Sequence, residues 1–380
     1  MPVPEFTHHQ RYARYASAPA QRERIATVAI LARCYVKELK ELRMLRAMGW
    51  KDQNMDEHFA SQRHRSDTAP VQAQQAWFKG MLGISRELDA AAGFVPTTEP
   101  LEFLDIGCAP GGFSTHILQT NPDARGVGIS LSESQGGHPL LLPWEYTSRY
   151  QYIEQDLLEY DLSPHSIPSP TPSLALRPLP DAFLGRFQIV LSDGHPLRTY
   201  HSPNDAIDTL VAPHAHHGLL LITQLIIALA AVQAGGTVLL KLMHIEGSPA
   251  AQLVYLLDAI SDTLVVHKPD TMHRNRASFY AVAKGVGGTE DRAALKERYV
   301  AGLRALWLEL RTGGPAGGGR GLVDGDLDFV VTPEEILDID GYLKRLVELG
   351  RPVWATQVQG LRVFFEKKGI QGFPVITSGV

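Results

Sequence analysis

Cysteine is almost missing from this sequence: the 380 residues hold two, Cys34 and Cys108. Two thiols so far apart make neither the framework of a disulfide-stapled secreted domain nor the paired spacing of a zinc site, so a reducing compartment is expected and a metal is not. Also lacking is any unbroken apolar run of membrane-spanning length, and the opening MPVPEFTHHQRYARY has no continuous apolar stretch of the secretory kind. The expected setting is the cytosol or nucleus, away from a membrane. Positive charge is not in excess either. There are 36 Lys and Arg against 41 Asp and Glu, a net charge of -5, and a pI near 6.3. That excludes a chain that wraps nucleic acid over its whole surface, because phosphate contacts need concentrated basic residues.

What is present is the makeup of a packed globular protein, 44% hydrophobic and 20% charged, which argues against disorder and against a fibre. Locally the charge balance reverses: nine basic residues stand against three acidic ones between Arg11 and Arg46, enough to face a polyanion, although a solvated helix face is the commoner and stronger account of such a run. Over residues 20–48 the apolar side chains Ile25, Val28, Ala32, Tyr35, Leu39, Leu42 and Leu45 recur every three or four positions, which predicts a long amphipathic helix stopped by Gly49. A second helix is expected over 72–92, ended by Gly93 and Pro96. The first 95 residues thus read as a helical N-terminal extension.

Past that point short apolar runs alternate with helical stretches, at 101–106, 124–129, 150–154, 187–191, 237–242, 263–267 and 279–283. Such a βαβ rhythm predicts an α/β fold with a doubly wound sheet covered on both faces. Residues 219–234 are too long and apolar for a strand and read as a buried crossover helix, with His214, His216 and His217 in the loop before it. The proline- and serine-rich stretch 163–180 reads as an inserted loop, since it holds neither a central strand nor a helix interior. Five glycines within 313–319 mark a linker to a C-terminal helical tail over 326–365, opened by Thr332, Pro333, Glu334 and Glu335. The division expected is 1–95 for the N-terminal extension, 96–288 for the α/β domain and 289–380 for a helical C-terminal extension.

The sharpest chemical signal is LEFLDIGCAPGGFSTHIL: an apolar strand, Asp105, then Gly107, Cys108, Ala109, Pro110, Gly111, Gly112 and Phe113, then a helical run. Glycines at a strand-to-helix turn let a ligand lie against bare main chain, at the strand end where such folds bind ligands. The spacing is GCAPGG rather than GxGxxG, which disfavours a nicotinamide dinucleotide. This loop resembles that of the FtsJ-like, Rossmann-fold methyltransferases, and the resemblance runs from about Trp77 to Gly285. YIEQDLLEYD, FQIVLSDGHP, GGTVLLKL and HKPDTMHRNRASFYAVAKG follow in the family's order. The resemblance implies a Rossmann-like methyltransferase core, S-adenosyl-L-methionine as cofactor, and transfer of its methyl to a ribose 2′ hydroxyl of RNA.

Residue by residue, the resemblance makes the 105–113 loop, Asp156 and Asp193 the donor-binding set, with Asp156 toward the adenine. An Asp after a strand also caps helices, which is the lesser alternative for it. Gly128 stands near the place where many methyltransferases keep an acid for the donor ribose, so that contact is not expected in its usual form. The family's catalytic Lys, Asp, Lys, Glu tetrad carries over onto Lys79, Asp193 and Lys241, with Ser278 where the Glu is expected. Serine orients a hydroxyl but cannot balance two lysines. His195 in DGHP, Arg274 and Arg276 are further polar groups near these motifs. Three functions stay open: an RNA ribose methyltransferase, a relative turned to a small-molecule acceptor, and a donor-binding interaction module that has lost catalysis.

Overall fold

The computed structural model describes residues 36–51, 61, 70–164, 176–197, 200, 213–314, 319–338 and 341–370, the side chains of 50, 51 and 213–215 excepted. Helix α1 runs Lys37–Lys51 and α2 Val71–Ala92. Then come β1 Leu101–Ile106, α3 Gly112–Thr120, β2 Ala124–Ser130, β3 Tyr150–Glu154, β4 Phe187–Ser192, α4 Pro213–Ala231 and β5 Val232–Met243. The chain continues through α5 Ser248–Ala259, β6 Thr263–His267, β7 Ser278–Val286, α6 Glu290–Thr312, α7 Pro333–Leu337 and α8 Leu343–Lys367.

These seven strands form one sheet in the order β3-β2-β1-β4-β5-β7-β6. Pairing is parallel from β3 across to β5, and β7 runs antiparallel to both β5 and β6. The winding reverses between β1 and β4, and a doubly wound sheet opens its ligand crevice at the carboxyl ends of such a strand pair. Along each strand alternate side chains meet opposite layers. Leu104, Ile106, Val238, Leu240 and Leu242 join the layer containing α1, α4 and α8. Leu101, Phe103, Leu239, Tyr280 and Val282 join the layer under α2 and α3. By the same parity Asp105, Lys241 and Ser278 belong to the α2/α3 side.

Each expected strand is present, several of them a residue or more longer. The expected helix over 20–48 is found only as α1 among the described residues, 20–35 lying outside them, and it passes through Gly49 instead of ending there. A Cβ on Gly49 would come within 2.8 Å of the Phe365 ring, so the glycine lets α8 approach closely. Leu39, Leu42 and Leu45 of α1 are fully buried, each contributing about 1.5–3 kcal/mol of burial before ordering entropy. The crossover helix ends at Ala231, not 234, because its last apolar residues start β5, and the three histidines sit in its first turns, not in a loop. The tail is not continuous from 326: Thr332 caps α7 with a full capping box, and α8 begins only at Leu343. Helix α6, not singled out by pattern, is capped by Thr289 and packs on α4.

Candidate functional site

At the end of β1 the Gly107 backbone is left-handed, φ 80°, and a Cβ there would lie 2.5 Å from Gly194 Cα. The loops after β1 and β4 therefore touch main chain to main chain, which a side chain at position 107 would prevent. Gly111, φ 102°, leads into α3, and Gly112 meets α2 so closely that a Cβ would sit 2.7 Å from the Phe78 carbonyl. Behind this loop Asp105 is buried and accepts a 2.6 Å hydrogen bond from Ser114 Oγ. Burial raises its pKa to about 7, opposed by the Ser114 hydrogen bond and helped by the nearby Asp193 charge.

A cavity of about 160 Å³ opens beside the loop, bounded by Gly107, Ala109, Ser130, Asp156, Gly194 and His195. Of the expected donor-binding residues these include Gly107, Ala109 and Asp156. The side chains of Asp105, Cys108 and Phe113 lie behind the wall, with Phe113 packed 5.8 Å from the Tyr280 ring. Asp156 caps a turn, as the alternative reading of it expected, and its second carboxylate oxygen is held by a tyrosine that also lines the cavity. Its Oδ1 accepts from Leu158 N at 2.9 Å, capping a turn, while Oδ2 faces the cavity side and accepts from the Tyr200 hydroxyl at 2.8 Å. Burial raises its pKa. From α6, Arg311 donates to the Leu158 carbonyl at 2.7 Å and so braces this turn. At Gly128 the space a side chain would need is filled: a Cβ would be 1.8 Å from the Tyr150 hydroxyl, itself 2.8 Å from Ser114 Oγ.

On the other side of the crevice Lys241 Nζ lies 2.9 Å from Asp193 Oδ1, and the buried Tyr280 hydroxyl donates to the same oxygen at 2.8 Å. The register explains the cluster, since Lys241 pairs with Tyr280 across β5 and β7, and Met243 with Ser278. Lys241 also stands 6.0 Å above the Tyr280 ring. Two imidazoles are close by. His195 lines the open cavity, and desolvation by the surrounding protein first and the Lys241 charge second lower its pKa to about 4. His273, with a left-handed backbone at φ 66°, is lowered to about 4 for the same two reasons.

Ser278 is buried, and its carbonyl accepts from Lys268 Nζ at 2.5 Å. Lys268 also donates to the carbonyls of His273 and Arg276, at 2.8 and 2.7 Å, fixing the turn that leads into β7. Lys79 is exposed on α2, the helix covering the face that carries Lys241. It is not joined to the Asp193–Lys241 pair by any contact among the described residues. Tyr280, Tyr150, His273 and Lys268 were missed from sequence. Only Tyr280 had a usable signal, standing two residues after Ser278 and so on the same strand face. Among the described residues no three His, Cys, Asp or Glu side chains converge as metal ligands would, and no helix is long and apolar enough to cross a membrane.

The model of the family described as FtsJ-like methyltransferase matches residues 84–286. A curated relative, the ribosomal RNA large subunit methyltransferase E of Sphingopyxis alaskensis, is 27% identical over 213 residues, which are 54% of this chain and 75% of the relative. Among solved structures, a Plasmodium falciparum protein bearing the name ribosomal RNA methyltransferase is 18% identical. It covers 55% of this chain and 97% of its own, with a TM-score of 0.34. A Burkholderia thailandensis N1-methyltransferase of 1,6-didemethyltoxoflavin, 16% identical, covers 60% and 89% with the same score.

Proposed function

This chain belongs to the FtsJ-like methyltransferase family, and from that premise we propose that it methylates the ribose 2′ hydroxyl of an RNA, with S-adenosyl-L-methionine as donor, in the cytosol or nucleus. The observation that carries the reading is the Lys241–Asp193–Tyr280 cluster at the carboxyl ends of β4 and β5, next to a cavity where Gly107 and Gly194 leave main chain bare. The loop suits the donor: side chains at Gly107 and Gly111 would strain it, since both adopt positive φ and a Cβ at Gly107 would push the Gly194 backbone away, and Asp156 offers an acceptor for an exocyclic amine. Bound there, the donor supplies an electrophilic methyl on a sulfonium sulfur.

The chain's own part is positioning and proton handling. Asp193 accepts from two donors and thereby fixes where the Lys241 side chain points. Lys241, 17% exposed, reaches the crevice. As an ammonium it polarises the acceptor hydroxyl, and once its own proton has passed to Asp193 its neutral amine takes the hydroxyl proton as the oxygen–methyl bond forms and the sulfur–methyl bond breaks. Neutral His195 and His273 spare the site two further charges beside that lysine. Lys79 stays exposed on α2, outside this contact network, and Ser278 orients the acceptor where relatives place a carboxylate. The bacterial relative's name refers to large-subunit ribosomal RNA, and from it we take the RNA class, not a position in it.

The test is incubation of the purified protein with methyl-labelled donor and total RNA, then nuclease digestion and identification of the labelled nucleosides. Label in 2′-O-methylated nucleosides is expected. Donor binding without any label in RNA would overturn the reading. A small-molecule acceptor is then the second reading, favoured by Ser278 and the net charge of -5, and labelling of a metabolite extract would support it.

A further inference from the structure

The turn that follows the Lys241 strand is held from outside the residues matched by the family. Glu246 is buried, with 3% of its side chain exposed, and its carboxylate receives Arg46 Nη1 of α1 at 2.5 Å and Trp354 Nε1 of α8 at 3.1 Å. His244 Nδ1 lies 3.4 Å from the same carboxylate. Burial acts to raise the Glu246 pKa, but the charges and hydrogen bonds of Arg46 and His244 outweigh it and hold the carboxyl well below its usual range. A buried carboxylate left without its cation is costly, so the three elements are bound to one another.

The same two helices also grip the strand beside it. Arg46 Nη2 donates to Gln357 Oε1 at 2.9 Å, and Gln357 Nε2 to the Asn275 carbonyl at 3.4 Å. Gly360 of α8 lies so near the Arg274 backbone that a Cβ would come within 2.7 Å. Between these grips the chain makes a tight turn: His244 adopts φ 57°, its N–H donates to the Ala277 carbonyl, and Gly247 N donates back to the His244 carbonyl at 2.7 Å. Lys241 lies five residues before Glu246 on β5, and Tyr280 five residues after Asn275 on β7. Both strand ends that carry the Asp193 partners are therefore clamped by α1 and α8.

We propose that Arg46 and Glu246 are positioning residues for methyl transfer, which set the Lys241 and Tyr280 strand ends against Asp193 so that the helices flanking the core complete the acceptor side of the site. The proposal rests on Lys241 acting on the acceptor. It separates two halves of the crevice: donor binding depends on the loops after β1 and β3, and acceptor chemistry depends on the clamp.

The test uses the full chain with Arg46→Met and Glu246→Gln, which keep volume while removing the ion pair, and Arg46→Lys, which keeps the charge. Reactivity of Lys241 toward an amine-directed acylating reagent is followed by mass spectrometry, with Lys284, bonded to the Ala92 and Gly93 carbonyls, as internal reference. In the two ion-pair variants Lys241 is expected to react about fivefold faster or more relative to Lys284, with donor affinity by calorimetry within about twofold of the parent, and with kcat on RNA down about tenfold or more because a small misplacement suffices. Arg46→Lys should recover most of each change. Unchanged Lys241 reactivity in folded Arg46→Met and Glu246→Gln overturns the clamp, as does a loss of donor affinity as large as the loss of turnover. Faster Lys241 labelling together with a parent protein inactive on every RNA supports the clamp and overturns the RNA reading instead. Should Arg46→Met fail to fold, Glu246→Gln and Arg46→Lys decide the matter by the same measurements.

Discussion

Two buried carboxylates stand close to one another beside the crevice, and their neighbours treat them differently. Asp193 receives an ammonium and a phenol, whereas Asp105 receives one serine hydroxyl and the repulsion of Asp193. With a folded pKa near 7 against an ordinary 3.8, Asp105 binds more protons in the folded than in the unfolded chain between those values. Its contribution to stability is then fully present below pH 3.8 and is lost as pH rises through about 7. Asp105→Asn should remove this slope. Thermal unfolding followed from pH 4 to 8 is expected to show the variant gaining on the parent as pH rises, by at most about 4 kcal/mol at the top of the window. A gain in the opposite direction would mean that Asp105 is held as an anion. Lys241→Ala belongs to the same scale. Its loss should lower turnover on RNA by about two orders of magnitude, while donor affinity by calorimetry stays at the parent value, since Lys241 lies across the crevice from the glycine cradle.

Helix α2 meets the glycine loop after β1 at Gly112, where a methyl group would lie 2.5 Å from Leu82 N and 2.7 Å from the Phe78 carbonyl. Neither partner is a flexible side chain, so helix and loop must part. Gly112→Ala is expected to cost about 1–3 kcal/mol in chemical denaturation and to weaken donor binding. Wild-type stability and affinity in this variant would show that α2 slides freely over α3. Much of this architecture could be read in advance, since a strand or an amphipathic helix writes its period into adjacent residues: FLDI, FQIVLS and TVLLKL declare themselves locally. The glycine cradle and the Asp193–Lys241 pair were legible by the same logic, each at the carboxyl end of such a run. The clamp was not, because Arg46 and Glu246 are 200 positions apart and each alone looks like one more charge on a helix or turn. Tyr150 filling the place of a side chain at Gly128 is likewise a contact between strands, with no trace in either strand's own pattern.

For the molecule as a whole, the net charge of -5 leaves an RNA only local patches to bind, and α1 shows how one arises. Its acidic residues turn inward to α8, Glu41 pairing with Arg362 at 2.6 Å and Glu38 lying 3.7 Å from Arg351. Lys37, Lys40 and Arg43 stay exposed on the outer side, while Arg46 is committed to Glu246 and is not available to a phosphate. If RNA is the acceptor, its binding should weaken steeply with salt, the logarithmic slope falling by about 0.7 for each phosphate neutralised on a single strand. Replacing Lys37, Lys40 and Arg43 by Ser should flatten that slope by about two, leaving donor affinity and Lys241 reactivity at parent values because none of the three touches the clamp. Fluorescence anisotropy of a labelled RNA from 50 to 300 mM salt measures it. An unchanged slope would move the RNA path away from α1, toward Arg274 and Arg276 beside the entry to β7. A slope near zero in the parent is what an acceptor with one charge or none would give, since almost no counterions are then released, and it would turn the assignment from RNA to a small molecule.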